Sequence, residues 1–204
     1  SVILKLKSEL PKDAKVLPCQ VLTQWKKDTD GFITRAKARL IAKGYRQQAG
    51  VHFNEDEVSS PVANQDTNRL VLLLALINSE DLNLVDIRVA FLNAKLGDKE
   101  RMYIFPHASW GLGDDVCLEL RRCIPGLKQS GFKWYQLLKK TMIALGFKPS
   151  AVDPCLFIKK ENDGPIKGVA AVHVDDLIMT GTKAVIDLLR KNLGDAFEIH
   201  DLGA

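Results

Sequence analysis

Three features of the 204-residue sequence predict an α+β fold. Apolar residues recur at helical spacing in segments 64–78, 132–145 and 182–193. Short apolar runs bounded by Gly, Asp, Asn or Pro lie between them in the manner of strands. The two kinds of segment are mixed along the chain, with no internal repeat, low-complexity tract or evident linker.

Taken in order, residues 1–30 have no regular pattern and carry Pro11, Pro18 and the turn-like DTDG at 28–31. The basic stretch ITRAKARLIAKGY, Ile33 to Tyr45, fits either an extended hairpin arm or a short helix. Helix 64–78 follows, with Thr67 as a cap and Leu70, Leu73, Leu74 and Ile77 on its apolar face. LNLVDIRVAFL, Leu82 to Leu92, reads as a strand turning into a short helix. MYIF (102–105) and VCLEL (116–120) read as strands separated by the loop GLGDD. A second helix, Phe132 to Leu145, directs Trp134, Leu137, Leu138 and Leu145 inward and stops at Gly146. CLFIKK (155–160), a turn at 162–165 and the run VAAVHVDDLIMTG (169–181) then form a meander. The third helix, Thr182 to Leu193, buries Ile186, Leu189 and Leu193, and FEIHDLG is a final strand.

Composition narrows the functional classes. Hydrophobic residues make up 46% of the chain, enough for a core, and no run approaches the ~18 apolar residues of a membrane span. The N-terminus SVILKLKSELPK lacks the build of a signal peptide, so an intracellular protein with no membrane partner is expected. The four cysteines form no C-x-x-C pair and have no His at zinc-ligand spacing, and are read as buried thiols. The net charge of +4 hides an alternation: residues 1–50 carry +7, residues 119–148 carry +6, and the remainder carries −9. This is the pattern either of solvated helix faces or of a polyanion-binding surface beside a carboxylate-rich region able to hold divalent cations.

Asp175 and Asp176 stand between the apolar runs AAVHV and LIMTG. Asp is ordinary at a hairpin turn, where it satisfies local amides. Two adjacent like charges, however, raise each other's proton affinity, an objection that a bound divalent cation removes. Magnesium takes hard oxygen ligands and needs only two or three carboxylates. Asp86, interrupting the apolar strand LVDIRVAFLN, is the candidate third carboxylate, with a helix cap or a surface strand residue as the alternative.

DIRVAFLNA resembles the D-V-K-T-A-F-L-N-G motif, and VHVDDLIMTG the Y-V-D-D motif, of reverse transcriptases from Ty1/copia-type LTR retrotransposons. KARLIAKGYRQQAGVHFNEDEVSSPVA, IPGLKQSGFKWY, SAVDPCLF and FEIHDLG match further segments of that family in its own order, from Lys37 to Gly203. The resemblance implies a right-hand polymerase fingers–palm fold, with an antiparallel palm sheet packed on helices and the thumb absent. Fingers would comprise residues 1–85, with helix 64–78 leading into the palm, and 119–148. The palm would comprise 86–118 and 149–204, the last part ending before a thumb.

Carried over position by position, the resemblance implies that Asp86, Asp175 and Asp176 bind two Mg²⁺ ions, for which Mn²⁺ can substitute, with the Ile87 carbonyl as a further ligand. Lys37 and Arg39 would grip the dNTP triphosphate, Phe91 would stack under its sugar, and Gly126 would lie beside it. Lys128, Gln129 and His173 would contact nucleic acid. The implied activity is RNA- and DNA-directed DNA polymerisation from a primer 3′-hydroxyl. The implied partners are a primed RNA or DNA template, dNTPs, and the integrase and RNase H of a Pol polyprotein, located in the cytoplasm, including virus-like particles, or the nucleus.

Departures from the family pattern stand at His173 and Pro125, each in place of Tyr, and at Gly131 and Phe132, in place of Pro and Arg. Val21 occupies a common Trp position, with Trp25 nearby. A decayed or domesticated copy that binds nucleic acid without copying it is the alternative function. Another palm-fold nucleotidyl transferase or cyclase explains the carboxylates but not the colinear basic motifs.

Overall fold

The computed structural model describes residues 2–12, 14–97, 100–162 and 164–203. The strands are β1 (Val2–Leu6), β2 (Val16–Leu17), β3 (Cys19–Lys27), β4 (Ile33–Ala42), β5 (Asn83–Ile87), β6 (Met102–Ile104), β7 (Val116–Leu120), β8 (Lys148–Pro149), β9 (Leu156–Lys160), β10 (Ile166–His173), β11 (Asp176–Gly181) and β12 (Ile199–Gly203). The helices are α1 (Gln65–Asn78), α2 (Ala90–Asn93), α3 (Ser130–Ala144) and α4 (Lys183–Ala196). The chain divides into two compact units, Ser1–Ser59 with Phe91–Lys133 and Ser60–Ala90 with Trp134–Ala204. In this division β6 and β7 join the N-terminal strands, and α1 and β5 join the later sheet.

The first unit holds a four-stranded sheet in the order β1-β7-β6-β2 and a separate two-stranded ribbon, β3–β4. Its core gathers Leu17, Met102, Ile104, Cys117, Leu118 and Leu120. Residues 1–30, irregular in sequence pattern, contain β1, β2 and the whole of the ribbon's first strand, β3. Nearly every residue of β3 lies at the surface, so no buried face imposed the apolar alternation that marks a strand. Ile33 to Ala42 takes the extended alternative.

The second unit is a six-stranded sheet ordered β12-β5-β11-β10-β9-β8. All its pairings are antiparallel. Helix α4 buries Ile186, Leu189 and Leu193, the stripe its periodicity predicts, and also Val185. Helix α3 buries Trp134, Leu138 and Met142 at successive i, i+4 positions, and Gly146 at φ 82° closes its C-terminus. The expected turn at 162–165 has Asn162 at φ 48°, and Asp163 lies outside the described residues.

Helix α1 forms where expected but differs in cap and face. Asn64, not Thr67, is the N-cap, its side-chain oxygen accepting from the Thr67 amide at 2.7 Å. The buried stripe is Thr67, Val71 and Ala75, whereas Leu70, Leu73 and Ile77 are exposed. The run from Leu70 to Ile77 is apolar all round, so periodicity alone could not select a face. The smaller side chains at i, i+4 and i+8 are the ones buried. The Thr67 hydroxyl donates instead to Asp153. That buried carboxylate also accepts the amides of Asn64 at 3.2 Å and Cys155 at 2.8 Å. Burial acts to raise the Asp153 pKa, and these three hydrogen bonds outweigh it and lower the pKa.

All four cysteines are free, with Cys117, Cys123 and Cys155 buried and Cys19 half-buried. Burial pushes the thiol of Cys123 up to about 11 and that of Cys155 to about 12, so these groups stay protonated and inert.

Candidate functional site

The site of the second unit is built on one row of the sheet. Register pairs His173 with Asp176 across β10 and β11, Asp176 with Asp86 across β11 and β5, and Asp86 with His200 across β5 and β12. Directly opposed residues share a face, so four titratable side chains stand in a line, the two carboxylates inside and a histidine at each end. Asp175 lies at the turn that joins β10 to β11, and its carbonyl accepts from the Ile87 amide at 2.7 Å. This bond ties the end of β5 to the turn and so holds the Asp86 segment beside the aspartate pair.

The carboxylates repel one another. Asp176 has its pKa raised by burial first, then by the charges of Asp175 and Asp86, with His173 opposing. Among the described residues none of the three aspartates forms a salt bridge to Lys or Arg. No three His, Cys, Asp or Glu side chains among those residues form a ready-made metal cluster. What exists among the described residues is an oxygen-donor set without a cationic salt-bridge partner at the accessible end of two inner strands, with Asp175 and Asp176 exposed and Asp86 half-buried.

Backbone strain is concentrated at the same place. Val174, immediately before Asp175, has φ 60°, and Val89, three residues after Asp86, has φ 48°. β-branched residues rarely enter this left-handed region, and when they do the surrounding structure must hold them there. Arg88 supplies part of that support beside Val89, its amide bonding the Glu198 carbonyl at 2.8 Å and its guanidinium the Glu198 carboxylate at 2.7 Å. The sequence reading missed His200, which is visible only once β12 is registered on β5. It also missed the strain at Val89 and Val174, for which residue type gives no signal.

The remaining predicted residues belong to the first unit, apart from His173. Lys37 and Arg39 lie on one face of the β3–β4 ribbon, opposite Gln24 and Leu22, with Arg35 opposite Lys26 extending the basic face. Phe91 sits half-buried on α2. The end of that helix is fixed by Arg122, which donates to the carbonyls of Leu92 and Asn93 at 3.0 and 3.1 Å. Gly126, at φ 92°, packs so closely on β4 that a Cβ would meet the Ala42 carbonyl at 2.1 Å.

Lys128 is exposed, its ammonium 5.0 Å from the centre of the Phe53 ring. Gln129 is fully buried. Its amide nitrogen donates to the His52 carbonyl at 3.0 Å, and its oxygen accepts from Gln47 at 2.9 Å. Gln129 therefore fixes the 47–52 segment and offers no surface to a ligand in this arrangement. A separate cavity of about 230 Å³ in the first unit, lined by Lys95, Arg101, Glu119, Arg121 and Arg122, includes none of the predicted residues.

The mixed α/β content and the sheets are consistent with a reverse-transcriptase-like domain. The chain belongs to the family described as reverse transcriptase (RNA-dependent DNA polymerase), which matches residues 5–204. It is 32% identical over 199 residues to the retrovirus-related Pol polyprotein from transposon TNT 1-94 of Nicotiana tabacum, covering 96% of this chain and 14% of that protein. It is 33% identical over 176 residues to the Pol polyprotein from transposon RE2 of Arabidopsis thaliana, covering 86% of this chain and 12% of that one. A third relative, the Pol polyprotein from transposon RE1 of the same plant, is 30% identical over 192 residues, 94% of this chain and 13% of its own. The chain is a copia-type reverse transcriptase domain, and it spans only about an eighth of the length of these curated relatives. Among the described residues no helix is long and apolar enough to cross a membrane.

Proposed function

We propose that this chain is the fingers–palm part of an RNA- and DNA-directed DNA polymerase within a copia-type Pol polyprotein. The observation that carries the reading is the registration of Asp86 on Asp176, with Asp175 tied to Ile87 beside them. In this reading residues 1–85 and 119–148 form the fingers, and residues 86–118 and 149–204 form the palm. The thumb, integrase and RNase H belong to the rest of the polyprotein.

The donor set fits magnesium. Three carboxylates and the Ile87 carbonyl are hard oxygen donors, and magnesium is commonly held by one or two carboxylates together with waters and substrate phosphates. An open row without a closed cage suits an ion that arrives with the triphosphate. When bound, two such ions lower the pKa of the primer 3′-hydroxyl and stabilise the leaving pyrophosphate, with Mn²⁺ as a substitute. Asp86, Asp175 and Asp176 orient the ions, and Phe91 lies under the incoming sugar and excludes a 2′-hydroxyl. Lys37 and Arg39 hold the triphosphate, the guanidinium being capable of bidentate contact. Gly126 keeps the neighbouring loop low, Lys128 and His173 touch nucleic acid, and Gln129 positions the loop from within.

The test is primer extension on an RNA template by the polyprotein's reverse transcriptase, with and without Asp175→Asn. Loss of a metal ligand is expected to cost several kcal/mol of barrier, a fall on the order of a thousandfold in rate. Extension that survives the substitution would sink the assignment. Template binding without extension by the unsubstituted protein would establish the non-catalytic reading instead.

A further inference from the structure

The turn carrying Asp175 has a conformation its own sequence disfavours. His173 pairs with Asp176, so Val174 and Asp175 are the two central residues, and Val174 has φ 60°. Asp175 is not among the residues with positive φ. A positive φ at the first central position alone is the pattern of a type II′ turn, which places Gly there. Something outside the turn must hold a valine in that conformation.

The indole of Trp134 is placed to do so. Its Nε1–H donates to the Val174 carbonyl at 2.7 Å. Trp134 is buried on α3, and its ring meets Phe197 edge-on, with centroids 5.2 Å apart. The indole thus cannot swing away without breaking the core. Asp175, the next residue, is held through its own carbonyl by the Ile87 amide. Consecutive turn carbonyls are thereby anchored, one by a helix side chain and one by the strand that carries Asp86.

We infer that Trp134 is a positioning residue, whose indole N–H holds the strained Val174 turn and so fixes where Asp175 and Asp176 present their carboxylates. Its importance for catalysis rests on the polymerase reading above; its effect on the turn does not. The prediction separates the donor from the ring. Trp134→Phe keeps an aromatic against Phe197 but removes the N–H, so the turn opens more often while the sheet stays packed.

The experiment is residue-resolved amide hydrogen exchange on the 204-residue chain without metal or nucleotide. In the unsubstituted protein the Trp134 indole proton is expected to exchange slowly, and a freely exchanging one would overturn the inference before any variant is made. In Trp134→Phe the Ile87 amide should exchange about tenfold faster, the fold-change corresponding to one lost hydrogen bond, while amides of β9 stay unchanged. Adding Val174→Gly should bring Ile87 back to within about threefold of its original rate, because Gly adopts the turn conformation without restraint. An unchanged Ile87 rate, a rise spread evenly over the sheet, or no recovery in the double variant would each refute the positioning role. In primer extension, Trp134→Phe should lower kcat with little change in KM for dNTP, and Val174→Gly should restore it. If the chain passes the exchange test but the polyprotein's reverse transcriptase never extends a primer, the polymerase reading is overturned and the positioning of the turn is left standing.

Discussion

The ribbon β3–β4 and the hairpin β10–β11 are both antiparallel pairs, yet they are stabilised in opposite ways. Among the described residues the ribbon pairs with no other strand, and it is exposed along most of its length. Two-stranded hairpins are marginal in water, and this one relies on local turn chemistry and on fixing at its base. At its tip Asp28 accepts the amides of Asp30 and Phe32, and Gly31 takes φ 89°. At its base Ala42 and Lys43 donate to the carbonyls of Pro125 and Pro18, both at 2.9 Å. The second hairpin lies between β9 and β5, inside a sheet, and its turn has no Gly, its Val174 carbonyl being held from outside the turn by the Trp134 indole. Where the sheet supplies the stability, the turn is free to carry strain and charge. Where it does not, the turn must be chemically ideal, and the exposed strands are left to carry cations.

Core truncation should separate the two most sharply. Leu177 is fully buried on β11, whereas Leu22 on β3 is half exposed. Leu177→Ala is expected to lower unfolding free energy by about 3 kcal/mol, and Leu22→Ala by less than about 0.5 kcal/mol. Denaturant unfolding of both variants measures this, and equal losses would break the contrast.

The next effect belongs to Asp153, which joins the start of α1 to the segment before β9. Asp153→Asn should cost about 1–3 kcal/mol at neutral pH by weakening charge-assisted hydrogen bonds. The pH dependence has a definite sign. The folded pKa of Asp153 lies below its ordinary value of 3.8, so its stabilisation is complete above about pH 4 and is lost as pH falls through the folded value. Unfolding measured between about pH 2 and 7 should therefore show a smaller acid loss in the variant than in the original chain.

The same division explains what the sequence disclosed. Element types from Leu82 onward were legible because burial imposed period and length, as in α4 and in β9 to β11. Asp86, Asp175 and Asp176 stood out because charges interrupt apolar strands. Three things were hidden. Exposed strands such as β3 need no apolar alternation, and α1 is apolar all round. Register is the third: only pairing reveals that His200 stands opposite Asp86, or that Trp134 reaches the Val174 carbonyl.

The smallest expected effect tests the turn argument in both directions. A Cβ on Gly31 meets nothing within 4 Å, so Gly31→Ala costs only the strain of a positive φ, about 1 kcal/mol of local opening in the ribbon. Val174→Gly is the reverse exchange. It relieves strain of about 1–3 kcal/mol and adds about 0.5–1 kcal/mol of unfolded-state entropy, so net stability should rise slightly or stay level. Glycine is thus needed where local chemistry must hold the turn, and is dispensable where the sheet and Trp134 hold it. Amide exchange at the ribbon tip and at Ile87 reads both variants. A Val174→Gly protein less stable than the original by more than about 1 kcal/mol would mean that the valine side chain contributes packing that outweighs its strain.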